Sequence, residues 1–160
     1  GIALSALARG DTGEGLRIAQ LSLDIAVAAE NPADQARARW LLGRIAQSGG
    51  NTTSAVTHYS AALDYARDHA NQSLLVDAAT SLATLHLEAG DVDAAEERIE
   101  EIRDVAATQR DFMRIDARLA LARSDRARAL AIMSRLRTLA GEAWQSSDEA
   151  LIRELEKMGP

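Results

Sequence analysis

The chain has no cysteine, so it can form no disulfide, thiolate nucleophile or cysteine-bound zinc site. Proline occurs twice and aromatic residues five times in 160 residues, which leaves an all-β sandwich almost none of the composition it needs. Apolar runs are short: none approaches the ~20 residues of a membrane span. Gly1–Gly10 lacks the basic start and long apolar stretch of an export signal. A soluble, cytoplasmic chain is expected. Lysine appears once against 17 arginines, a bias that reads as the genomic signature of a GC-rich bacterium. The sequence opens on glycine, not methionine, and reads as part of a larger protein. What it has in quantity is alanine, its commonest residue, within an overall make-up of 47% apolar and 26% charged residues and a net charge of -6. This is the composition of a helical globular domain.

Self-similarity organises the chain. Gly10-Asp11, Gly50-Asn51 and Gly90-Asp91 recur at equal intervals, each followed by a small residue at 15, 55 and 95, and Ser124-Asp125 with Ala129 is a weaker fourth copy after a shorter interval. Glycine just past a helix end takes the left-handed conformation without a steric penalty, and the Asp or Asn beside it caps the next helix. Each dipeptide therefore reads as the corner of a helical hairpin. Apolar stripes flank the corners: Ala38, Leu41, Leu42 and Ile45 before Gly50, then Ala55, Tyr59, Ala62, Leu63 and Ala66 after it. Leu75, Ala79, Leu82, Ala83 and His86 precede Gly90, with Val92, Ala95, Ile99, Ile102 and Ala106 beyond. Asn31-Pro32 starts a helix, proline being tolerated at the first helical position. Ser146 and Glu149 have capping-box spacing before a terminal helix expected at about 146–158, carrying Leu151, Leu155 and Met158, and stopped by Gly159-Pro160. Ile2, Leu4 and Leu7 form an apolar start that can pack on a preceding helix or a second copy.

Leu42-Gly43, Ala55, Tyr59 and Ala62 match in register the pattern of the tetratricopeptide repeat (TPR), which the unit resembles; Leu82-Ala83, Gly90, Ala95, Ile99 and Ile102 match more loosely. The resemblance covers about 130 of the 160 residues. It departs from the family in a period of 40 instead of about 34, with the extra residues assigned between repeats near His69–Ser73, and in lacking the proline that ends the family's repeat. In length and alanine-rich texture the copies look most like the TPR-like sensor arrays of bacterial MalT-type LuxR-family regulators and related signalling ATPases. The resemblance implies a single domain over residues 1–160: a right-handed α-α superhelix of about eight or nine helices with corners near 10, 50, 90 and 124. It also implies that the first helix of each pair lines a concave groove. Arg37, Trp40, Arg44 and Gln47 would line it from the first pair, Asp77, Thr80, Thr84, Leu87 and the adjacent Glu88 from the second, and Asp111, Arg114, Arg118 and Leu121 from the third. Trp40 beside arginines suits either stacking on a ligand or packing between hairpins. The family's carboxylate clamp is missing, its positions holding Trp40, Arg44, Ser81, Asp111 and Ile115. The asparagine-lined grooves of the pheromone-receptor members are missing too, since Asn31, Asn51 and Asn71 all fall in turns.

Catalytic chemistry finds little support. His58, His69 and His86 include no pair at metalloprotease spacing, and His86 falls on a core-lining position. Gly10, Gly13 and Gly15 are preceded by no strand and followed by no Lys-Ser/Thr, which leaves capping in place of a phosphate loop. Asp91, Asp93, Glu96 and Glu97 lack the calcium-loop spacing and suit the positive end of a helix dipole. No catalytic residue, metal or cofactor is expected. Charge is polarised, however: residues 71–110 hold nine acids and three arginines, net -6, whereas 111–140 hold seven arginines and three acids, net +4. Arg114, Arg118, Arg123, Arg126, Arg128, Arg135 and Arg137 could form a phosphate-binding stripe. Few aromatics accompany them, so a solvated helix face is the preferred reading; alternatively, the acidic and basic segments meet oppositely charged segments of adjoining domains. The expected role is a non-catalytic protein-binding scaffold in a larger bacterial regulator. Its partner would be a protein, a peptide or a neighbouring domain, with a small-molecule effector also admitted and no membrane involved. The alternatives are a helical accessory domain that positions an enzyme, and nucleic-acid binding through 111–140.

Overall fold

The computed structural model describes residues 12–157, and every described element is helical. Four consecutive 17-residue helices, Thr12–Ala28 (α1), Pro32–Ser48 (α2), Thr52–Asp68 (α3) and Gln72–Glu88 (α4), are followed by Val92–Ala106 (α5), Arg110–Ala122 (α6) and Arg126–Ala140 (α7). A short 3₁₀ turn, Gly141–Ala143, leads into Ser146–Lys157 (α8). The result is an all-α array of helical hairpins, with eight α-helices among the described residues. The corner expected at Gly10, the apolar Ile2, Leu4 and Leu7, and the stop at Met158–Pro160 lie outside them.

One local device makes five of the seven connections. At each, a residue with positive φ follows the helix: Glu30 at 50°, Gly50 at 75°, Ala70 at 50°, Gly90 at 79° and Ser124 at 60°. Two backbone hydrogen bonds close the end, from Asn31 N–H to the Ala26 carbonyl and from Glu30 N–H to that of Val27, and the same pair recurs at the other four. The next residue, Asn31, Asn51, Asn71, Asp91 or Asp125, then accepts from the backbone N–H three residues on at 3.0–3.2 Å. The three asparagines are thus all helix caps. Helices α1–α5 start at evenly spaced positions, 12, 32, 52, 72 and 92, so glycine marks only alternate corners. This corrects the expectation of an insertion near His69–Ser73. His69–Asn71 is an ordinary three-residue corner, and the long period resides in the helices themselves. The connection Ala107–Gln109 is different: Ala107 stays right-handed and Gln109 makes no side-chain cap.

Contacts group into two compact units, one running to Leu82 and one from Ala83, so the boundary falls inside α4. In the first unit α2 packs against both α1 and α3. Ala55, Tyr59, Ala62, Leu63 and Ala66 all bury along one face of α3, as their spacing requires. The matched Leu-Gly and Tyr positions explain each other: a Cβ on Gly43 would lie 2.6 Å from Cδ1 of Tyr59, so only glycine leaves room for the ring. In the second unit α6 packs on α5, α7 and α8. Met113, Ala117, Ala120, Ala129, Met133, Leu136 and Leu155 form its core, with Leu151 and Ile152 of α8 packed at the margin.

Asp116 is a buried charge in that unit, 5% exposed. Arg103 of α5 grips it with bonds of 2.9 and 3.2 Å, and Arg128 of α7 adds one of 2.8 Å. Three helices are thereby riveted at a single carboxylate. Bonding to Glu100 first, and then to Asp116, holds the Arg103 guanidinium protonated beyond its ordinary range despite partial burial.

Candidate functional site

The groove residues expected from the sequence divide between the two units. In the first, Trp40 is buried, 8% exposed, and its Nε1 donates to Ser81 Oγ at 3.3 Å, while Ser81 donates to the Asp77 carbonyl at 2.7 Å. Arg37 and Arg44 place their guanidinium carbons 4.8 and 5.2 Å from the ring centroid, and Arg37 pairs with Asp77 at 2.7 Å. Gln47 accepts a 2.8 Å bond from the Tyr59 hydroxyl, and Thr80 is half-buried. These side chains join α2 to α4 and α3. Of the two roles open to Trp40, packing between helices is the one its burial fits. Arg44, exposed, keeps its guanidinium on the surface.

In the second unit Arg114 is committed as well. It holds Asp148 of α8 with two bonds of 2.8 and 2.9 Å, Asp111 at 2.9 Å and the Ala143 carbonyl at 3.1 Å. Burial works to raise the Asp148 carboxyl, but Arg114 and the Gln145 N–H outweigh it and hold it below its ordinary value. The same carboxylate accepts from Gln145 N–H at 2.9 Å, and so performs the capping that the sequence suggested for Ser146 and Glu149. Ser146 instead begins the helix, and Glu149 accepts from Trp144 Nε1 at 3.3 Å. One half of a box is thus present, one position toward the N-terminus, with the Asp148 N–H bonded to the Gln145 backbone carbonyl.

With Arg114 holding the start of α8, the rest of that helix borders an open cleft of about 550 Å³. The C-terminus of α4 supplies Leu87 and Glu88, α6 supplies Arg118, Leu121 and Ala122, and α8 supplies Leu151 and Glu154. The volume is within the usual range for binding sites. A second recess of about 290 Å³ shares Arg118, Leu151 and Glu154 and extends the cleft along α8 past Ser147 and Asp148. The floor is leucine and the rim is charged. Glu88, Arg118 and Glu154 have no ion-pair partner among the described residues. Of the sequence candidates the cleft brings together Glu88 and Arg118 along with Leu87 and Leu121, while Thr84 lies half-buried one turn back on α4. Sequence reasoning missed Glu154 and gave Leu151 only a packing role, because nothing in one sequence indicates that α8 returns beside α6.

The basic segment is largely occupied internally. Arg114 pairs with Asp111 and Asp148, Arg123 with Asp93 and Glu96, and Arg128 with Asp116. Arg126 donates to the Leu155 carbonyl at 2.7 Å, and Arg137 lies 5.5 Å from the Trp144 ring centroid. The acidic and basic stretches thus meet each other inside the second unit at Arg123 and Asp116, where a solvated face was the preferred expectation and contact with adjoining domains the alternative. The described residues hold no cluster of three or more His, Asp or Glu arranged to hold a metal ion, and no helix long and apolar enough to cross a membrane. Compared with known proteins, the chain matches no family model and no curated relative.

Proposed function

We propose that the chain is a non-catalytic, TPR-like binding and scaffolding module, the sensor or regulatory part of a larger bacterial transcriptional regulator or signalling ATPase, and that it holds a protein partner in the cleft along α6 and α8. One observation carries this reading: three unpaired charges, Glu88, Arg118 and Glu154, surround a leucine floor, while most neighbouring polar side chains are already paired. Unpaired charge beside exposed apolar surface is what a partner can satisfy. The repeated corners and the Gly43–Tyr59 fit support the TPR-like assignment, and the alanine-rich 17-residue helices support the longer-period sensor arrays within it.

Partner capture by the intact chain tests the proposal. Arg118→Glu combined with Leu121→Gln is expected to lose the partner with helicity unchanged by circular dichroism, and Arg44→Ala is expected to keep it. Equal capture by all forms would remove the cleft from consideration and favour an accessory domain that only positions its neighbours. Nucleic-acid binding through 111–140 is disfavoured by the internal pairing of its arginines, and mobility shift at low salt should show no complex.

A further inference from the structure

Taking that cleft as the working surface, we infer that its occupant is a short peptide segment carrying a large apolar side chain next to a lysine or arginine. Glu88 and Glu154 reach the cleft from two different helices, Arg118 is the one unpaired cation between the two recesses among the described residues, and Arg114 is neutralised by Asp148 and Asp111. Counting Glu88, Glu154 and Arg118 leaves one negative charge in excess, which a basic side chain would meet. Leu87, Leu121 and Leu151 provide the surface against which an apolar anchor loses its hydration. Shape selects the class of molecule. The recess is open to solvent and is prolonged by the second cavity, with which it shares Arg118, Leu151 and Glu154, whereas a small ligand is usually held where most of its surface is enclosed. An elongated segment gains contacts along such an opening and leaves Arg118 free to donate to its backbone carbonyls. This chemistry is opposite in sign to that of the carboxylate clamp, whose residues the chain lacks.

A random peptide library displayed on phage and panned on the intact 160-residue chain tests the inference, with recovered peptides synthesised and titrated by fluorescence anisotropy. The expected consensus is an apolar residue flanked by Lys or Arg. Glu88→Lys with Glu154→Lys should weaken binding at least tenfold, and exchanging the peptide's basic residue for glutamate should restore it on that variant. An acidic or uncharged consensus, or affinity indifferent to the double reversal, overturns the inference. Leu121→Gln and Leu87→Gln separate this outcome from failure of the cleft itself. If they abolish binding while the charge reversals do not, the cleft stands and only the basic-peptide chemistry falls; if neither set matters, or panning recovers no binder, both fall.

Discussion

His58 carries a buried Nδ1 with no hydrogen-bond partner, a condition that sets the sign of a pH effect. Loss of hydration on burial, followed by repulsion from Arg39, lowers its pKa below the ordinary 6.5. The unfolded chain therefore takes up a proton as pH falls below about 6.5 while the folded chain does not, and stability decreases until the folded value is passed. His58→Gln should flatten this part of a urea-denaturation profile; parallel wild-type and variant profiles would show that His58 folds without the shift. Asp116 poses the opposite case, a charge fully engaged by Arg103 and Arg128. Replacing it by alanine leaves Arg128 without its carboxylate and Arg103 held by Glu100 alone, and because both guanidinium groups retain access to water the expected cost is about 2 kcal/mol, below that of a wholly buried pair. A loss under half of that by denaturant titration would mean that the arginines find other partners.

At the level of the element, the corner is the repeating invention of this chain. Ala70 takes φ of 50° at a position where Gly50 and Gly90 take the same turn without a Cβ. Left-handed backbone costs an L-residue about 1–2 kcal/mol, and glycine gives back roughly 0.5–1 kcal/mol in chain entropy. Ala70→Gly is accordingly expected to stabilise by about 0.5–1 kcal/mol, and Gly50→Ala to destabilise by a similar amount, both read from urea midpoints. Opposite signs would mean that the corners are not equivalent. Alternate corners were legible because they carry glycine, and the capping Asn or Asp was legible at 31, 51, 91 and 125, whereas Asn71 was read only as a turn residue beside an insertion. Glu30 and Ala70 gave no signal, since neither residue type favours the left-handed conformation that the corner's two backbone hydrogen bonds close around. The stripes of α3 and α5 were readable from spacing alone, because a helix buried along one side repeats its apolar positions every three or four residues.

For the molecule as a whole, the hairpin array was visible in the sequence, whereas the choice among its polar surfaces was not. A linear pattern shows that Arg37, Trp40, Arg114 and Arg118 fall on one side of their helices. It does not show that Asp77, Ser81 and Asp148 have already taken three of them. Partners far along the chain decide which groups remain available, and their approach is fixed by packing. The cleft of the second unit, where Glu88, Arg118 and Glu154 keep no ion-pair partner among the described residues, is the proposed working surface. The direct measurement is backbone amide chemical-shift mapping of the ¹⁵N-labelled chain during titration with a captured partner segment. Shifts concentrated at Leu87, Glu88, Arg118, Leu121, Leu151 and Glu154 are predicted. A map centred on Trp40 and Arg44, or on the outer side of α7 around Arg135, would contradict the account.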